Sequence, residues 1–126
     1  MRRTLLIGKL HRLRVTHAER DYEGSIAIDA RLLEAAGMRA YERVEVYNVT
    51  NGERFSTYTI AGEPGSGIVS VNGAAAHKAA PGDLVIVCAY GEFEESEADA
   101  HVPRLVYVDA RNRMTRTGAS IPTQAA

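Results

Sequence analysis

Alternating apolar and polar residues recur along the chain and predict a series of short β-strands. Most of these segments are bounded by glycine, proline, asparagine or aspartate, which favour turns. The predicted strands cover residues 10–16, 43–49, 53–60, 68–71, 84–89 and 105–108. Many short strands with frequent turns are typical of a closed or nearly closed β-barrel.

Helix and turn signals lie between these strands. Asp29, the segment ARLLEAA and Gly37 combine an N-cap residue, a short helical pattern and a C-terminal glycine, which predicts one brief helix. The Asn51-Gly52 dipeptide between two strands predicts a tight hairpin. The Ala-rich stretch after Gly73 predicts a short turn or a second helix. The expected fold is therefore mainly β, with one or two short helices.

Two segments lack a strand pattern. The acidic run at residues 91–100 is expected to form a solvated loop or a surface helix. The polar tail from Arg111 onward is expected to be mobile. Since the chain has no internal repeat and no linker-like segment, residues 1–126 are expected to fold as one domain.

The composition is that of an ordinary globular protein, with 45% hydrophobic and 25% charged residues. The formal net charge of −1 provides no general attraction to nucleic acid or anionic membranes, so neither is expected as a partner. The single cysteine, Cys88, excludes an intrachain disulfide and suits a reducing compartment. Because no apolar segment is long enough to span a membrane, we expect a cytoplasmic location.

Residue motifs alone indicate no particular chemistry. The four histidines match no metal-binding spacing and the lone cysteine cannot complete a zinc set, so no metal is expected. Pyridoxal phosphate is not expected either, because it requires a Schiff-base lysine within a much larger fold. Two Gly-Ser dipeptides occur, Gly24-Ser25 and Gly65-Ser66, and their spacing does not distinguish them from each other or from ordinary turns.

Basic residues are concentrated at the start of the chain: Arg2, Arg3, Lys9, Arg12 and Arg14. One interpretation is a non-enzymatic barrel that binds nucleic acid or a protein partner through this strand.

Another interpretation concerns Ser25: the chain is an amidohydrolase, or another barrel enzyme, in which an unprocessed Ser25 is the nucleophile.

A third interpretation comes from four segments that resemble the aspartate 1-decarboxylase family: GKLHRLRVTHA, DYEGSIAID, NVTNGERFSTYTI and SVNGAAAH. They follow the family's order and spacing. The resemblance implies a double-psi β-barrel that assembles as a homotetramer. It also implies a pyruvoyl-dependent enzyme that converts L-aspartate into β-alanine and CO2 for pantothenate synthesis.

The resemblance places the chemistry at Ser25. It implies that the Ser25 hydroxyl attacks the Gly24 carbonyl and that the chain cleaves itself into residues 1–24 and 25–126. Residue 25 then becomes a covalently bound pyruvoyl group, whose ketone condenses with the amine of aspartate. The Thr57 hydroxyl is implied as the donor to the Gly24 carbonyl oxygen as negative charge develops there. The sequence leaves open whether cleavage is spontaneous or assisted by a maturation partner.

Further roles implied by the resemblance concern the substrate. Arg54 resembles the family's carboxylate-binding arginine. Tyr58, on the same face of the predicted strand, resembles the acid that returns a proton to the carbanion. Lys9 and His11 correspond to positive groups near the substrate, and Tyr22 is a further candidate beside the cleavage loop. The substrate site is completed by Thr57, Asn72, Gly73, Ala74 and Ala75.

Overall fold

The computed structural model describes all 126 residues and contains nine β-strands, two α-helices and one 3₁₀-helix. The strands are β1 (Arg2–Arg14), β2 (His17–Glu19), β3 (Ser25–Asp29), β4 (Arg43–Asn48), β5 (Arg54–Gly62), β6 (Val69–Asn72), β7 (Leu84–Glu94), β8 (Arg104–Val108) and β9 (Met114–Gly118). The helices are α1 (Ala30–Ala36), α2 (Glu95–Ala98) and the 3₁₀-helix Gly73–His77. No helix combines the length and apolar character needed to cross a membrane. The prediction of a mainly β fold with one or two short helices is confirmed.

The strands form one sheet in the order β2-β6-β3-β5-β4-β7-β1-β8-β9. Only Val15 and Thr16 separate β1 from β2, although these strands lie near opposite ends of that order. The Thr16 N–H donates to the Val69 carbonyl of β6 (2.8 Å), and the Val15 N–H donates to the Asp83 carbonyl before β7 (2.9 Å). The sheet therefore closes into a barrel, because two residues cannot span an open sheet of this width.

Parallel and antiparallel pairs are interleaved around the barrel. β3 runs parallel to β5 and antiparallel to β6, and β1 runs parallel to β8 and antiparallel to β7. A parallel pair requires a crossover connection, and residues 30–53 supply one by forming α1 and β4 before the chain returns as β5. Such crossings agree with the double-psi barrel that the resemblance implies.

Helix α1 begins and ends where the sequence predicts. The Asp29 carboxylate accepts the Arg31 N–H at the N-terminus (2.9 Å), and Gly37 adopts a φ of 70° at the C-terminus. Asp29 also accepts the backbone N–H groups of Gly65 (3.0 Å) and Gly67 (2.9 Å). One buried carboxylate thus joins the end of β3, the start of α1 and the loop before β6.

The barrel interior is filled by aliphatic side chains, and 18 buried residues form one cluster. Ile26 of β3 and Val71 of β6 are paired across the sheet and are fully buried in this cluster. Burying a side chain of this size contributes roughly 1.5–3 kcal/mol. Because neighbouring residues on a strand face opposite sides, Ser25 and Asn72 lie on the outer face of the same two strands.

The largest differences from the predicted strands lie at the two ends of the chain and at the buried strand β3, which no predicted strand covers. β1 begins at Arg2 rather than residue 10, and β7 extends through residues 91–94, because these two segments pair with each other. Within the acidic run, Glu95–Ala98 form α2. A surface helix was one of the two predicted outcomes for this segment. The tail expected to be mobile contains β9, which pairs with β8. Alternation does not reveal these additions, because Leu5, Leu6 and Ile7 form a continuous apolar run and residues 114–118 are mostly polar.

Candidate active site

Ser25 is the first residue of β3 and is buried (1% exposed), whereas Gly24 before it is exposed. The pairing of β3 with β6 places Ser25 opposite Asn72. The Asn72 Nδ2 group donates to Ser25 Oγ (3.1 Å), and the Ser25 hydroxyl donates to the Glu23 carbonyl (3.1 Å). The hydroxyl is therefore held by two hydrogen bonds, one of them to the backbone two residues before it.

Ser70, which is not among the residues predicted from the sequence, sets the orientation of the Asn72 amide. The Ser70 hydroxyl donates to Asn72 Oδ1 (2.8 Å), and both residues are buried. An unpaired buried acceptor costs about 1–3 kcal/mol, so this bond favours the orientation that directs Nδ2 at Ser25. Ser70 lies two residues before Asn72 on the same strand face, and that spacing is the signal that could have identified it.

Gly73 packs directly against the residue before Ser25. Its φ is 71°, and a Cβ added to it would lie 2.7 Å from the Gly24 Cα and 3.1 Å from the Gly24 nitrogen. Only glycine permits both this conformation and this close approach. The Tyr22 carbonyl oxygen lies 3.5 Å from the same Cβ position, while Tyr22 itself is exposed. The structure thus brings five of the predicted residues together: Tyr22, Gly24, Ser25, Asn72 and Gly73.

Strand β5 contains two further candidate residues, Thr57 and Tyr58, and runs beside Ser25. β3 and β5 are parallel, and continuing their register places Tyr58 beside Ser25 and Thr57 beside Gly24. Tyr58 is exposed at 38% and points to the outer face, whereas Thr57 is half-buried. The alternation predicted from the sequence, with these two side chains on opposite faces of the strand, agrees with this burial pattern.

Arg54 begins β5 on the exposed face of the barrel. Its guanidinium carbon lies 4.3 Å from the centroid of the Tyr47 ring on β4. None of the four ion pairs in the structure includes Arg54. Its guanidinium N–H groups therefore remain available for an anion.

Lys9 and His11 lie on β1, four strands from β3 in the sheet order, so a single chain leaves them apart from the Ser25 site. The His11 ring packs against Tyr107 (5.4 Å between centroids), and its Nδ1 atom is buried without a partner. Burial lowers the pKa of His11, and the charges of Lys9, Arg12 and Arg116 lower it further. These effects favour the neutral imidazole, and a role for His11 near the substrate stays a prediction.

A cavity of about 360 Å³ opens on the outer face beside the cluster, within the range of small-molecule sites. Its walls include Tyr22, Asn72 and Glu19. Ala74, which is exposed, and Ala75, which is half-buried, lie in the 3₁₀-helix that begins at Gly73. No group of three or more His, Cys, Asp or Glu side chains is arranged to hold a metal ion.

Comparison with known proteins bears on the chemistry of this cluster. The family model described as aspartate decarboxylase matches residues 1–115. The chain is 61% identical over 123 residues to the aspartate 1-decarboxylase of Thioalkalivibrio sulfidiphilus, with 98% of each protein covered. It is 58% identical over 126 residues to the aspartate 1-decarboxylase of Methylococcus capsulatus, with 100% of each covered. The chain belongs to the aspartate decarboxylase family.

Among solved structures, the rationally designed mkDPBB_sym1 protein is 22% identical to this member of the aspartate decarboxylase family, with a TM-score of 0.45. The match covers 68% of this chain and 96% of the designed one. This likeness is too weak to add to the strand pairing described above.

Two other predicted features of this aspartate decarboxylase family member have structural explanations outside the cluster. Ser66, in the second Gly-Ser dipeptide, donates to the carbonyl three residues before it (2.6 Å) and so closes its own turn. In the basic N-terminal segment, Arg2 pairs with Glu94 (3.2 Å) and Arg3 pairs with Glu95 (2.6 Å). These acidic partners reduce the positive surface that nucleic-acid binding requires.

Proposed function

We propose that this chain is the precursor of a cytoplasmic carboxy-lyase that converts L-aspartate into β-alanine and CO2 for pantothenate synthesis. Relatives named aspartate 1-decarboxylase, 58–61% identical over nearly their full lengths, support the proposal. One observation carries it: the buried Ser25 hydroxyl, next to the exposed Gly24, accepts a hydrogen bond from Asn72 and donates one to the Glu23 carbonyl. Self-cleavage leaves residues 1–24 and 25–126, and residue 25 becomes a pyruvoyl group.

Self-cleavage uses groups within the chain. Ser25 Oγ attacks the Gly24 carbonyl carbon, the C–N bond breaks, and the amide becomes an ester with a free amine. Loss of the residue 25 Cα proton then expels the Gly24 carboxylate and leaves dehydroalanine, which water converts to the ketone with release of ammonia. The Asn72 Nδ2 group, 3.1 Å from Ser25 Oγ, stabilises that oxygen as its proton leaves. The register of β5 beside β3 supports Thr57 as the donor to the Gly24 carbonyl oxygen.

The surroundings of residue 25 fit a pyruvoyl group. Open space lies where a Cβ on Gly24 would stand, so the chain end formed there has room to move away. The rest of β3 remains paired with β5 and β6 after cleavage and holds residue 25 in place. The pyruvoyl ketone supplies the electrophile that takes the substrate amine and accepts electrons as CO2 leaves.

The remaining residues bind substrate and move a proton. Arg54 holds the carboxylate that stays, because an ion pair with the departing carboxylate would oppose its loss. The Tyr58 phenol, which the register places beside residue 25, returns the proton. Asn72 and the small residues from Gly73 to Ala75 form the wall next to a compact amino acid, where backbone groups can approach closely.

The separation of Lys9 from residue 25 favours a site shared between copies of the chain, as the proposed homotetramer would provide. Because β1 lies four strands from β3, the Lys9 ammonium reaches a residue 25 site more readily when a second copy presents its β1 there. Light scattering on the cleaved protein should therefore give the mass of four chains. Incubation of purified precursor alone and with a cell lysate separates spontaneous cleavage from cleavage that needs a maturation partner.

Intact-mass measurement on the purified protein tests the proposal. We expect two fragments, residues 1–24 and 25–126, the second with a keto group in place of its first amine. Ser25→Ala should give one uncut chain that forms no β-alanine from aspartate. Ser66→Ala is the matched control, since it removes the hydroxyl of the other Gly-Ser dipeptide. An active preparation that retains an unmodified Ser25 would contradict the proposal.

A further inference from the structure

A pair of tyrosines on the outer face of the barrel lies next to Arg54 and has no part in the self-cleavage described above. The hydroxyl oxygens of Tyr47 on β4 and Tyr90 on β7 are 2.9 Å apart and share a hydrogen bond. The Arg54 guanidinium lies over the Tyr47 ring, 4.3 Å from its centroid. The three side chains therefore form a continuous set of contacts from Tyr90 to Tyr47 to Arg54.

The Tyr47 ring restricts a side chain that nothing else restrains. Arg54 is exposed, takes part in no ion pair, and has a long side chain with many rotamers. A guanidinium placed over an aromatic face is attracted by the ring quadrupole. Stacking uses the flat face of the guanidinium and leaves the N–H edges free, and those edges bind a carboxylate in two-point fashion.

Tyr90 in turn restrains the Tyr47 ring. Tyr47 is half-buried and Tyr90 is 42% exposed, so neither ring is fixed by surrounding core residues alone. Their shared hydrogen bond connects two strands that are neighbours in the sheet. Burial raises the pKa of Tyr90 and the hydrogen bond with Tyr47 raises it further, so the phenol keeps its proton at working pH.

We propose that Tyr90 is a positioning residue for substrate binding: it holds the Tyr47 ring, and that ring orients the Arg54 guanidinium before aspartate arrives. The inference rests on the proposed function, in which Arg54 binds the retained carboxylate. Fixing the guanidinium in advance lowers the entropy lost when substrate binds. The effect therefore belongs to substrate affinity and leaves self-cleavage and the proton transfer by Tyr58 unchanged.

The test removes one oxygen atom. Tyr90→Phe keeps the ring and loses the hydroxyl, and Tyr47→Phe does the same from the other side while keeping the surface on which Arg54 stacks. Tyr41→Phe is the matched control, because Tyr41 is 78% exposed and lies outside the proposed site. Each variant is purified, its cleavage is checked by intact mass, and its melting temperature is compared with that of the wild type.

Initial rates on the cleaved enzymes then separate the effects on KM and kcat. We expect KM for aspartate to rise roughly three- to tenfold in Tyr90→Phe and in Tyr47→Phe, the range for one lost hydrogen bond, with kcat within twofold of wild type. The double variant should be no worse than either single variant, since both remove the same bond. The inhibition constant of succinate, a dicarboxylate without the amine, should rise by the same factor.

The possible outcomes separate a failure of this inference from a failure of the proposed function on which it rests. A wild-type protein that neither cleaves nor forms β-alanine refutes the proposed function and the inference together. A wild-type enzyme that is active while Tyr90→Phe keeps the wild-type KM and succinate constant refutes the inference alone. A Tyr90→Phe variant that loses kcat or cleavage in step with KM shows a merely structural role and also overturns it.

Discussion

Replacing Gly73 with alanine places a methyl group against the residue whose carbonyl is proposed to be attacked. The new Cβ would lie 2.7 Å from the Gly24 Cα and 3.1 Å from its nitrogen, and neither backbone atom can rotate away. The φ of 71° costs a non-glycine residue roughly 1 kcal/mol, and overpacking adds about 1–3 kcal/mol. We therefore expect Gly73→Ala to destabilise the precursor by about 2–4 kcal/mol.

Gly52→Ala is the control that isolates the contact with Gly24. Gly52 also has a positive φ, 79°, but nothing lies within 4 Å of its Cβ position, so only the conformational cost of roughly 1 kcal/mol applies. Urea unfolding measures both changes, in a Ser25→Ala background that keeps the chain intact and at fixed protein concentration.

Cleavage provides the second measurement. With Ser25 present, the displaced Gly24 carbonyl is misaligned with the attacking hydroxyl, and we expect Gly73→Ala to cleave at least roughly tenfold more slowly than wild type. A time course of intact mass records the rate. If Gly73→Ala and Gly52→Ala lose equal stability and both cleave at the wild-type rate, the inferred packing of Gly73 against Gly24 is wrong.

Three further predictions follow from single residues. Tyr58→Phe should leave the two fragments unchanged by mass while kcat for β-alanine formation falls roughly 10²-fold; an unchanged kcat would remove its role as acid. For Asp29, burial tends to raise the pKa, but the backbone N–H groups of Gly67 and others outweigh it and the pKa lies below 3.8. Its charge therefore stabilises the fold at neutral pH and the stabilisation is lost as pH falls below about 4, so Asp29→Asn should be less stable at pH 7 and less acid-sensitive in thermal unfolding. Asn112 bonds both backbone groups of Arg14 and the Gly67 carbonyl, each at 2.8 Å, and Asn112→Ala should cost about 3 kcal/mol in urea unfolding; a change under about 0.5 kcal/mol would count against this estimate.

Elements that depend on neighbouring residues could be predicted from the sequence. Helix α1 begins after Asp29 and ends before Gly37 because an N-cap and a left-handed glycine act within one helical turn. The β4–β5 hairpin at Asn51-Gly52 follows from local turn geometry in the same way. Four short segments were sufficient to predict the family, and through that resemblance Ser25 is proposed as the reactive residue.

Contacts between distant segments could not be predicted in this way. Ser70 orients the Asn72 amide, Tyr90 reaches Tyr47 from another strand, and burial lowers the pKa of the His11 ring. The first residues of β1 and all of β9 were also missed, because their pairing with β7 and β8 joins residues that are distant in the sequence.

Sequence by itself determined most of the alternating strands and the capped helix, since each depends on residues a few positions apart. The family resemblance alone pointed to Gly24-Ser25 as the dipeptide now proposed to react. Tertiary structure alone decided that Asn72, 47 residues from Ser25, bonds its hydroxyl and that Gly73 touches Gly24. The physical reason is strand register. Closing the barrel and burying one face of every strand selects a single alignment of distant segments. No short segment of the sequence determines that alignment.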